Sequence, residues 1–188
     1  MIIVDLETSG ADFKESSILS IGAVDFNNPD NTFYGECKIR ENAKIDPKAM
    51  EVNGFTLEQI NNNPKSCEQL LKEFLNWALN IDDMTLAGHN VQFDFNFLVE
   101  GFKFYNVEWI FGWKMVDVQS IFYFNLLKNN KQIPLKNNVS GLDFDKILEY
   151  LNLKRSNAKH NALEDAKLAY EVFSALLDES SSLVETKL

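Results

Sequence analysis

The chain has 188 residues, 45% of them hydrophobic and 24% charged, and this length and composition are ordinary for one globular domain. Its formal net charge of −10 argues against a protein that coats nucleic acid through a broad basic surface, because such binding depends on neutralising phosphates. Two cysteines, Cys37 and Cys67, without C-x-x-C spacing, argue against a disulfide framework. The chain has no signal-peptide pattern and no run of roughly 18 apolar residues, so we expect a cytoplasmic protein without a membrane span.

The first half of the chain is predicted to contain three strands followed by helices. The strands are Ile2–Thr8, Ile18–Phe26 and Thr32–Arg40. Short connections at Ser9-Gly10 and at residues 27–31 favour an antiparallel meander. The patterns Thr56-x-x-Gln59 and Ser66-x-x-Gln69 are capping boxes, and they predict the starts of two helices.

In the second half, short apolar segments alternate with helical patterns. The predicted elements are an apolar stretch at Thr85–Gly88, a helix from Phe93 to about Phe102, a strand around Met115–Val118, and helices over Ile121–Leu127, Asp143–Asn152 and Asn161–Asp178. The polar segment Lys128–Ser140 is predicted to be a loop. Alternating strands and helices indicate parallel pairing. We therefore expect one domain over residues 1–178, a mixed sheet covered by helices, followed by a flexible tail at 179–188.

Asp5 and Glu7 stand two residues apart in the apolar first strand, so both carboxylates leave the same face. A strand this apolar is expected to be central and covered. Two desolvated carboxylates side by side must gain protons or hold a cation between them, and their oxygens suit magnesium or manganese. The alternative is that the pair lines a solvated edge of the sheet.

Three further residues are candidates for chemistry, each with a structural alternative. Asp94 lies where an apolar stretch gives way to a helix, a place where ligands gather in α/β sheets, although an aspartate there is commonly a helix cap. Asp165 interrupts a stripe of small and apolar residues on the last helix, so it needs a partner. His160 meets Asp165 only from the preceding loop or first turn, because five residues along a helix turn through about 140°. Taken alone, His160 and His89 are more typical of structural or surface histidines.

Three segments together resemble the exonuclease motifs of the DEDDh, or DnaQ-like, exonuclease superfamily. They are Asp5-Leu6-Glu7-Thr8, His89-Asn90-x-x-Phe93-Asp94 and His160-Asn161-Ala162-Leu163-Glu164-Asp165-Ala166. Their order, the spacing of five between His160 and Asp165, and supporting features such as Val116-Asp117 match the superfamily. The resemblance covers the chain from Asp5 to about Leu177.

The resemblance implies an α/β fold of the ribonuclease-H-like type, in which a five-stranded mixed sheet has helices on both sides. It also implies a metal-dependent 3′-5′ exonuclease that releases nucleoside monophosphates from single-stranded DNA or RNA ends, with DNA slightly favoured. Two divalent cations, Mg2+ or Mn2+, are the implied cofactors.

The resemblance also assigns roles to individual residues. Asp5, Glu7 and Asp165 are expected to hold one cation, Asp5 and Asp94 the second, and His160 is the expected general base for the attacking water. Thr8 and Asn90 are expected near the terminal nucleotide, while Phe93 packs. Many relatives read His-Gly-Ile-Thr where this chain has Asn53-Gly54-Phe55-Thr56, so the nucleotide contacts of that loop are left unassigned. None of the five catalytic positions is replaced, so we expect an active enzyme.

Two other functions remain open at this point. The acidic composition suits an exonuclease subunit that a polymerase or RNA-processing complex brings to its substrate, and it also suits a metal-binding domain without nuclease activity. Residues 126–160 hold seven basic and three acidic side chains, and this stretch either guides the nucleic acid or is only a solvated surface.

Overall fold

The structure is a computed structural model that describes residues 1–155 and 159–184. Five strands form one mixed sheet: β1 (Ile2–Thr8), β2 (Ile18–Asp25), β3 (Asn28–Glu36), β4 (Leu86–Gly88) and β5 (Met115–Asp117). The strand order is β3-β2-β1-β4-β5, so β1 lies in the centre. The first three strands form the predicted antiparallel meander, and β4 and β5 extend the sheet with parallel pairing. The predicted five-stranded mixed sheet is confirmed.

Helices cover both faces of this sheet, also as predicted. They are α1 (Pro47–Asn53), α2 (Leu57–Asn62), α3 (Cys67–Ala78), α4 (Val91–Phe104), α5 (Val118–Lys128), α6 (Phe144–Tyr150) and α7 (Ala162–Val184). One hydrophobic core lies between the sheet and helices α3 and α4, and a second lies between the sheet and helices α5, α6 and α7. In the described residues, no helix is both long and apolar enough to cross a membrane.

The side chains of β1 divide between these two cores. Ile2, Val4 and Leu6 are buried in the core that α3 and α4 cover, whereas Ile3 is buried in the other. Because consecutive side chains of a strand leave opposite faces, Asp5 and Glu7 share the face of Ile3. Both carboxylates therefore belong to the side that α7 covers.

Both predicted capping boxes begin helices. In each, the hydroxyl oxygen of the cap accepts a hydrogen bond from the glutamine N–H at 3.2 Å, and the glutamine oxygen accepts one from the cap N–H at 2.8 Å. The sequence patterns missed α1. This helix begins at Pro47 after the cap Asp46 and ends at Asn53, before the cap Gly54, whose φ of 76° suits glycine.

The predicted loop at residues 27–31 was wrong. β2 and β3 are joined by a two-residue turn, Phe26-Asn27, and β3 begins at Asn28 and ends at Glu36 instead of running from Thr32 to Arg40. Pro29 is tolerated within this strand because β3 is an edge strand, where a missing backbone donor need not remove a bond of the ladder.

The predicted loop Lys128–Ser140 also contains regular structure. A short hairpin, formed by β6 (Leu135–Lys136) and β7 (Val139–Ser140), lies between α5 and α6 in the chain. Its turn residues Asn137 and Asn138 have φ of 52° and 64°, a left-handed conformation that asparagine accepts more readily than most residues.

Helix α7 extends past its predicted end at Asp178, to Val184. Residues 185–188 lie outside the described residues. The flexible tail at 179–188 and the domain boundary at 178 therefore stay predictions.

Candidate active site

The approach of α7 to the sheet depends on Gly22 of β2, which pairs with Asp5 of β1. A Cβ atom at Gly22 would lie 2.1 Å from the backbone carbon of Ala162, the first residue of α7. Only glycine allows this contact, since no other residue lacks a Cβ. The contact brings the first turn of α7, with Asp165, over the carboxylates of the central strand.

Asp94 lies on the first turn of α4 and is buried. Its Oδ1 atom accepts a hydrogen bond from Leu6 N at 2.9 Å. β4 pairs only with Ile2 and Ile3, so it gives the Leu6 N–H no partner, and the Asp94 carboxylate takes that place. Asp94 is therefore tied to β1 between Asp5 and Glu7 rather than acting as the helix cap.

The start of α4 is held in a different way. Asn90 is the cap residue, with φ of 51° and no side-chain cap bond, and its side chain is exposed. Asp117, at the end of β5, accepts a hydrogen bond from Val91 N at 3.1 Å and another from Ser120 N at 2.8 Å. The Asn90 side chain is therefore not committed to capping this helix.

His160 lies before α7, as its convergence with Asp165 requires. Its Nδ1 atom lies 3.1 Å from Asp165 Oδ2, and its backbone N–H donates to Val52 O at 3.2 Å. Asn161 caps α7, its Oδ1 atom accepting hydrogen bonds from Leu163 N at 3.1 Å and Glu164 N at 3.2 Å. These bonds place the imidazole beside the buried carboxylate of Asp165.

One cleft of about 390 Å3 collects all five predicted catalytic residues. Its lining includes Asp5, Glu7, Asp94, His160 and Asp165, together with His89, Asn90, Phe93, Asp143, Phe144, Asp145 and Arg155. A neighbouring cavity of about 300 Å3 shares Leu6, Glu7 and Phe93 with this cleft, and Thr8, Val52 and Asn53 line it. The two predicted substrate residues thus lie in adjoining spaces, Asn90 in the first and Thr8 in the second.

The loop that departs from the family pattern contacts Thr8. Asn53 donates from Nδ2 to Thr8 O at 3.0 Å and accepts from Phe55 N at 3.0 Å. The Thr8 hydroxyl donates to Gly10 O at 2.8 Å. Asn53 therefore fastens this loop to the end of β1, a structural role that its amide can fill with one donor and one acceptor.

Phe93 and His89 both make ring contacts. The Phe93 ring lies 4.9 Å from that of Phe97, and His89 stacks on Phe144 at 4.7 Å. Burial lowers the pKa of His89, which favours the neutral ring. The expected packing of Phe93 is therefore present, and the contacts of His89 agree with its structural alternative.

Burial and mutual repulsion raise the pKa of the acids in the cleft. Burial, followed by the charges of Asp94, Glu7 and Asp165, raises the pKa of Asp5 well above its ordinary value. Burial also raises the pKa of Asp94, and it raises the pKa of Glu7 to about 7 against the opposing effect of His160. This concentration of poorly solvated negative charge favours protons or cations.

The donor set suits a hard divalent cation. Glu7 Oε1 is buried and has no hydrogen-bond partner within residues 1–155 and 159–184. One ligand atom from each of Glu7, His160 and Asp165 lies within 4.8 Å of the others. Carboxylate oxygens are the ligands that magnesium and manganese prefer, so the residues present fit the predicted cofactors.

Sequence patterns missed Arg155 as a residue of this site. Its side chain pairs with Asp165 through Nη1 and donates from Nε to Asp145 Oδ1 at 3.0 Å. One feature of the composition could have indicated it: Arg155 is one of only two arginines in the sequence, and the other basic side chains, apart from two histidines, are lysines. Arginine rather than lysine suits fork-shaped contacts with carboxylates or phosphates.

The RNase_T family model, described as exonuclease, matches residues 2–173. The chain therefore belongs to this exonuclease family, and the predicted DEDDh, DnaQ-like resemblance is confirmed.

Two relatives and one solved structure illustrate the similarity. DNA polymerase III PolC-type of Thermotoga maritima is 27% identical over 187 residues, which cover 100% of this chain and 12% of the polymerase. The 3′-5′ DNA exonuclease Cap18 of Escherichia coli is 28% identical over 185 residues, which cover 96% of this chain and 92% of Cap18. The nuclease domain of 3′hExo, a DEDDh family member bound to rAMP, superposes with a TM-score of 0.73 at 17% identity, covering 95% of this chain and 91% of that one.

These similarities carry different amounts of information. The 3′hExo domain has the same fold as this chain. Its 17% sequence identity supports similarity of fold alone. The chain spans only 12% of the PolC-type polymerase, whereas it is similar to almost the whole of Cap18.

Proposed function

We propose that this chain is a 3′-5′ exonuclease that hydrolyses the terminal phosphodiester bond of single-stranded nucleic acid and releases nucleoside monophosphates. The observation that carries the proposal is the convergence of Asp5, Glu7, Asp94, Asp165 and His160 on one cleft. Membership of the exonuclease family supports it. Of the two possible sugars, DNA is favoured, since Cap18, 92% of which the chain covers, is named a 3′-5′ DNA exonuclease.

The four acids are proposed to hold two divalent cations, Mg2+ or Mn2+. Asp5, Glu7 and Asp165 would hold one cation, and Asp5 and Asp94 would hold the other. Such cations lower the pKa of a bound water and stabilise the entering and leaving oxygens of phosphoryl displacement. The protein fixes these oxygens by β1, by the Leu6–Asp94 hydrogen bond and by the start of α7.

His160 is proposed to accept the proton of the attacking water. Asp165 orients the imidazole through the contact at Nδ1, which leaves Nε2 to act as the base. The same hydrogen bond raises the pKa of His160, so the imidazole must lose its proton before it can act. We therefore expect activity to rise as the pH increases through the pKa of His160.

Thr8 and Asn90 are proposed to contact the terminal nucleotide from the two adjoining cavities. Phe93 lies between these cavities and offers an apolar surface to a base. The combined space suits a small ligand such as a nucleotide.

The proposal is tested with an oligonucleotide labelled at its 3′ terminal nucleotide. With Mg2+ or Mn2+, the label should appear first as a mononucleotide, and EDTA should stop its release. Asp5→Ala and Asp165→Ala should abolish the reaction, whereas Asp82→Ala, which removes an exposed acid elsewhere, should leave it unchanged. Early release of a 5′ label in place of the 3′ label contradicts the proposed direction. Matched DNA and RNA oligomers decide the sugar preference.

A second candidate makes the chain a partner-dependent subunit that acts beside a polymerase or a processing complex. The observation in its favour is the similarity to a segment of a PolC-type polymerase. The net charge of −10 also gives the chain no overall attraction for nucleic acid. Efficient degradation of free oligonucleotides by the purified chain excludes an obligatory partner.

A further inference from the structure

Arg155 is a cation built into the acidic cleft. Its side chain is only 19% exposed. Its guanidinium lies 5.4 Å from the centre of the Phe144 ring, and it pairs with both Asp145 and Asp165. Two of these contacts belong to the first turn of α6, and the third is to a proposed cation ligand.

Both oxygens of Asp165 already contact a neighbouring side chain. Its side chain is 5% exposed, its Oδ1 atom pairs with Arg155, and its Oδ2 atom lies 3.1 Å from His160 Nδ1. A divalent cation held by Asp165 would be a neighbour of the guanidinium that pairs with the same carboxylate, and two positive charges close together repel strongly in a poorly solvated site. Cation binding at Asp165 therefore opposes the Arg155 contact.

The contacts of Arg155 with α6 do not depend on Asp165. The Nε bond to Asp145 and the position over the Phe144 ring hold the guanidinium at the cleft wall when Nη1 leaves Asp165. A guanidinium fork matches the geometry of phosphate oxygens. Arg155 lines the cleft and carries a guanidinium there. The other lining residues are acidic, aromatic or uncharged, or are the histidines His89 and His160.

Resting on the proposed function, we propose that Arg155 exchanges partners: it pairs with Asp165 when no cation is bound there, and a divalent cation at Asp165 releases the guanidinium to the phosphate of the bound nucleotide. The exchange gives one residue opposite effects on the two ligands. Arg155 weakens the binding of the cation alone and strengthens the binding of the nucleotide once the cation is present.

The cation half is tested by calorimetric titration of the chain with Mn2+ in the absence of nucleic acid. Arg155→Gln should bind Mn2+ about tenfold more tightly than the unaltered chain, the size expected when one charge-assisted pair no longer has to be broken. Lys154→Gln is the matched control, because it removes an adjacent exposed positive charge and should change the affinity less than about twofold.

The phosphate half is tested with thymidine 5′-monophosphate at saturating Mn2+. Arg155→Gln should bind this mononucleotide about tenfold more weakly, and Lys154→Gln should bind it nearly as the unaltered chain does. If Arg155→Gln fails to fold, Arg155→Met repeats both titrations, since its side chain still packs on Phe144.

The two titrations separate this proposal from other roles. A purely structural role lowers both affinities, and unchanged or weaker Mn2+ binding overturns the exchange. Tighter Mn2+ binding with unchanged nucleotide binding overturns the phosphate half. Neither titration measures turnover, so each is independent of the test of the proposed function. If the unaltered chain cleaves 3′ ends but either titration gives the negative result, the proposed function stands. Only the role of Arg155 is then removed.

Discussion

At the scale of single residues, Glu7 couples protonation of the cleft to folding. Glu7 is a buried residue of β1, and one of its carboxylate oxygens lacks a hydrogen-bond partner in the described part of the chain. Burial raises its pKa from 4.5 to about 7, so the folded state holds this proton more tightly than the unfolded chain does. The stabilisation that Glu7 contributes is therefore complete below about pH 4.5 and is lost as the pH rises through about 7.

We expect the free energy of unfolding in EDTA to fall between roughly pH 5 and pH 8, by up to about 3 kcal/mol from Glu7, at about 1.4 kcal/mol per pKa unit. Chemical denaturation at a series of pH values measures this change. Glu7→Gln, which cannot titrate, should show a flatter profile, and Mn2+ should restore stability to the unaltered chain at the higher pH. Identical pH profiles for the two proteins contradict the assignment.

At the scale of elements, the position of α7 controls the assembly of the site. This helix carries Asp165, is preceded by His160, and touches β2 backbone to backbone at Gly22. Helix α4 is tied to β1 by the Asp94 hydrogen bond, and α6 presents Asp145 and Phe144 to Arg155. Three helices thus bring charged groups to the one cleft that Asp5 and Glu7 of β1 also line.

Gly22→Ala should push the start of α7 away from the sheet, because its Cβ atom would lie 2.1 Å from backbone that cannot rotate aside. We expect a loss of about 1–3 kcal/mol in the free energy of unfolding, as for other overpacked sites, together with a lower kcat for 3′-end cleavage. Gly112→Ala, whose Cβ meets no atom closer than 4.0 Å, is the matched control and should change neither quantity appreciably. An unaltered kcat in Gly22→Ala would show that the site does not depend on this contact.

At the scale of the whole molecule, the net charge of −10 opposes the approach of a polyanion. Lys131 and Lys136 are both exposed, and Lys136 lies on the hairpin β6–β7. This hairpin precedes α6, whose first turn lines the cleft. The charge distribution therefore makes these lysines candidates for guiding a strand.

Charge reversal at Lys131 and Lys136 should weaken oligonucleotide binding at low salt, and the effect should shrink as salt is added. Lys103→Glu is the control, since Lys103 is exposed at the opposite end of α4, about 14 Å along the helix from Asp94. Binding measured by fluorescence anisotropy at several salt concentrations makes the comparison. Equal losses per reversed lysine in the two variants would mean that only net charge matters.

Much of the fold could be predicted because its signals are local. The apolar residues at 2–4 and 6 marked β1, and the capping box of Thr56 and Gln59 marked the start of α2. The spacing of His160 and Asp165 placed His160 in the loop before α7 or in its first turn. The errors lie where tertiary context overrides local preference. Pro29 is accepted within a strand because that strand is an edge, and the Asn137-Asn138 turn closes a hairpin that its polar sequence did not suggest.

The amino-acid sequence by itself determined the mixed sheet covered by helices, since strand and helix periodicity are properties of neighbouring residues, and its three motifs pointed to the candidate acids through their resemblance to the exonuclease superfamily. Only the tertiary structure decided that Asp94 takes the free N–H of Leu6, 88 residues away, and that Gly22 admits α7. It also placed Arg155 between Asp145 and Asp165. These contacts join residues that are distant in the chain, and their energies arise from burial and charge that exist only once the sheet and its helices have packed together.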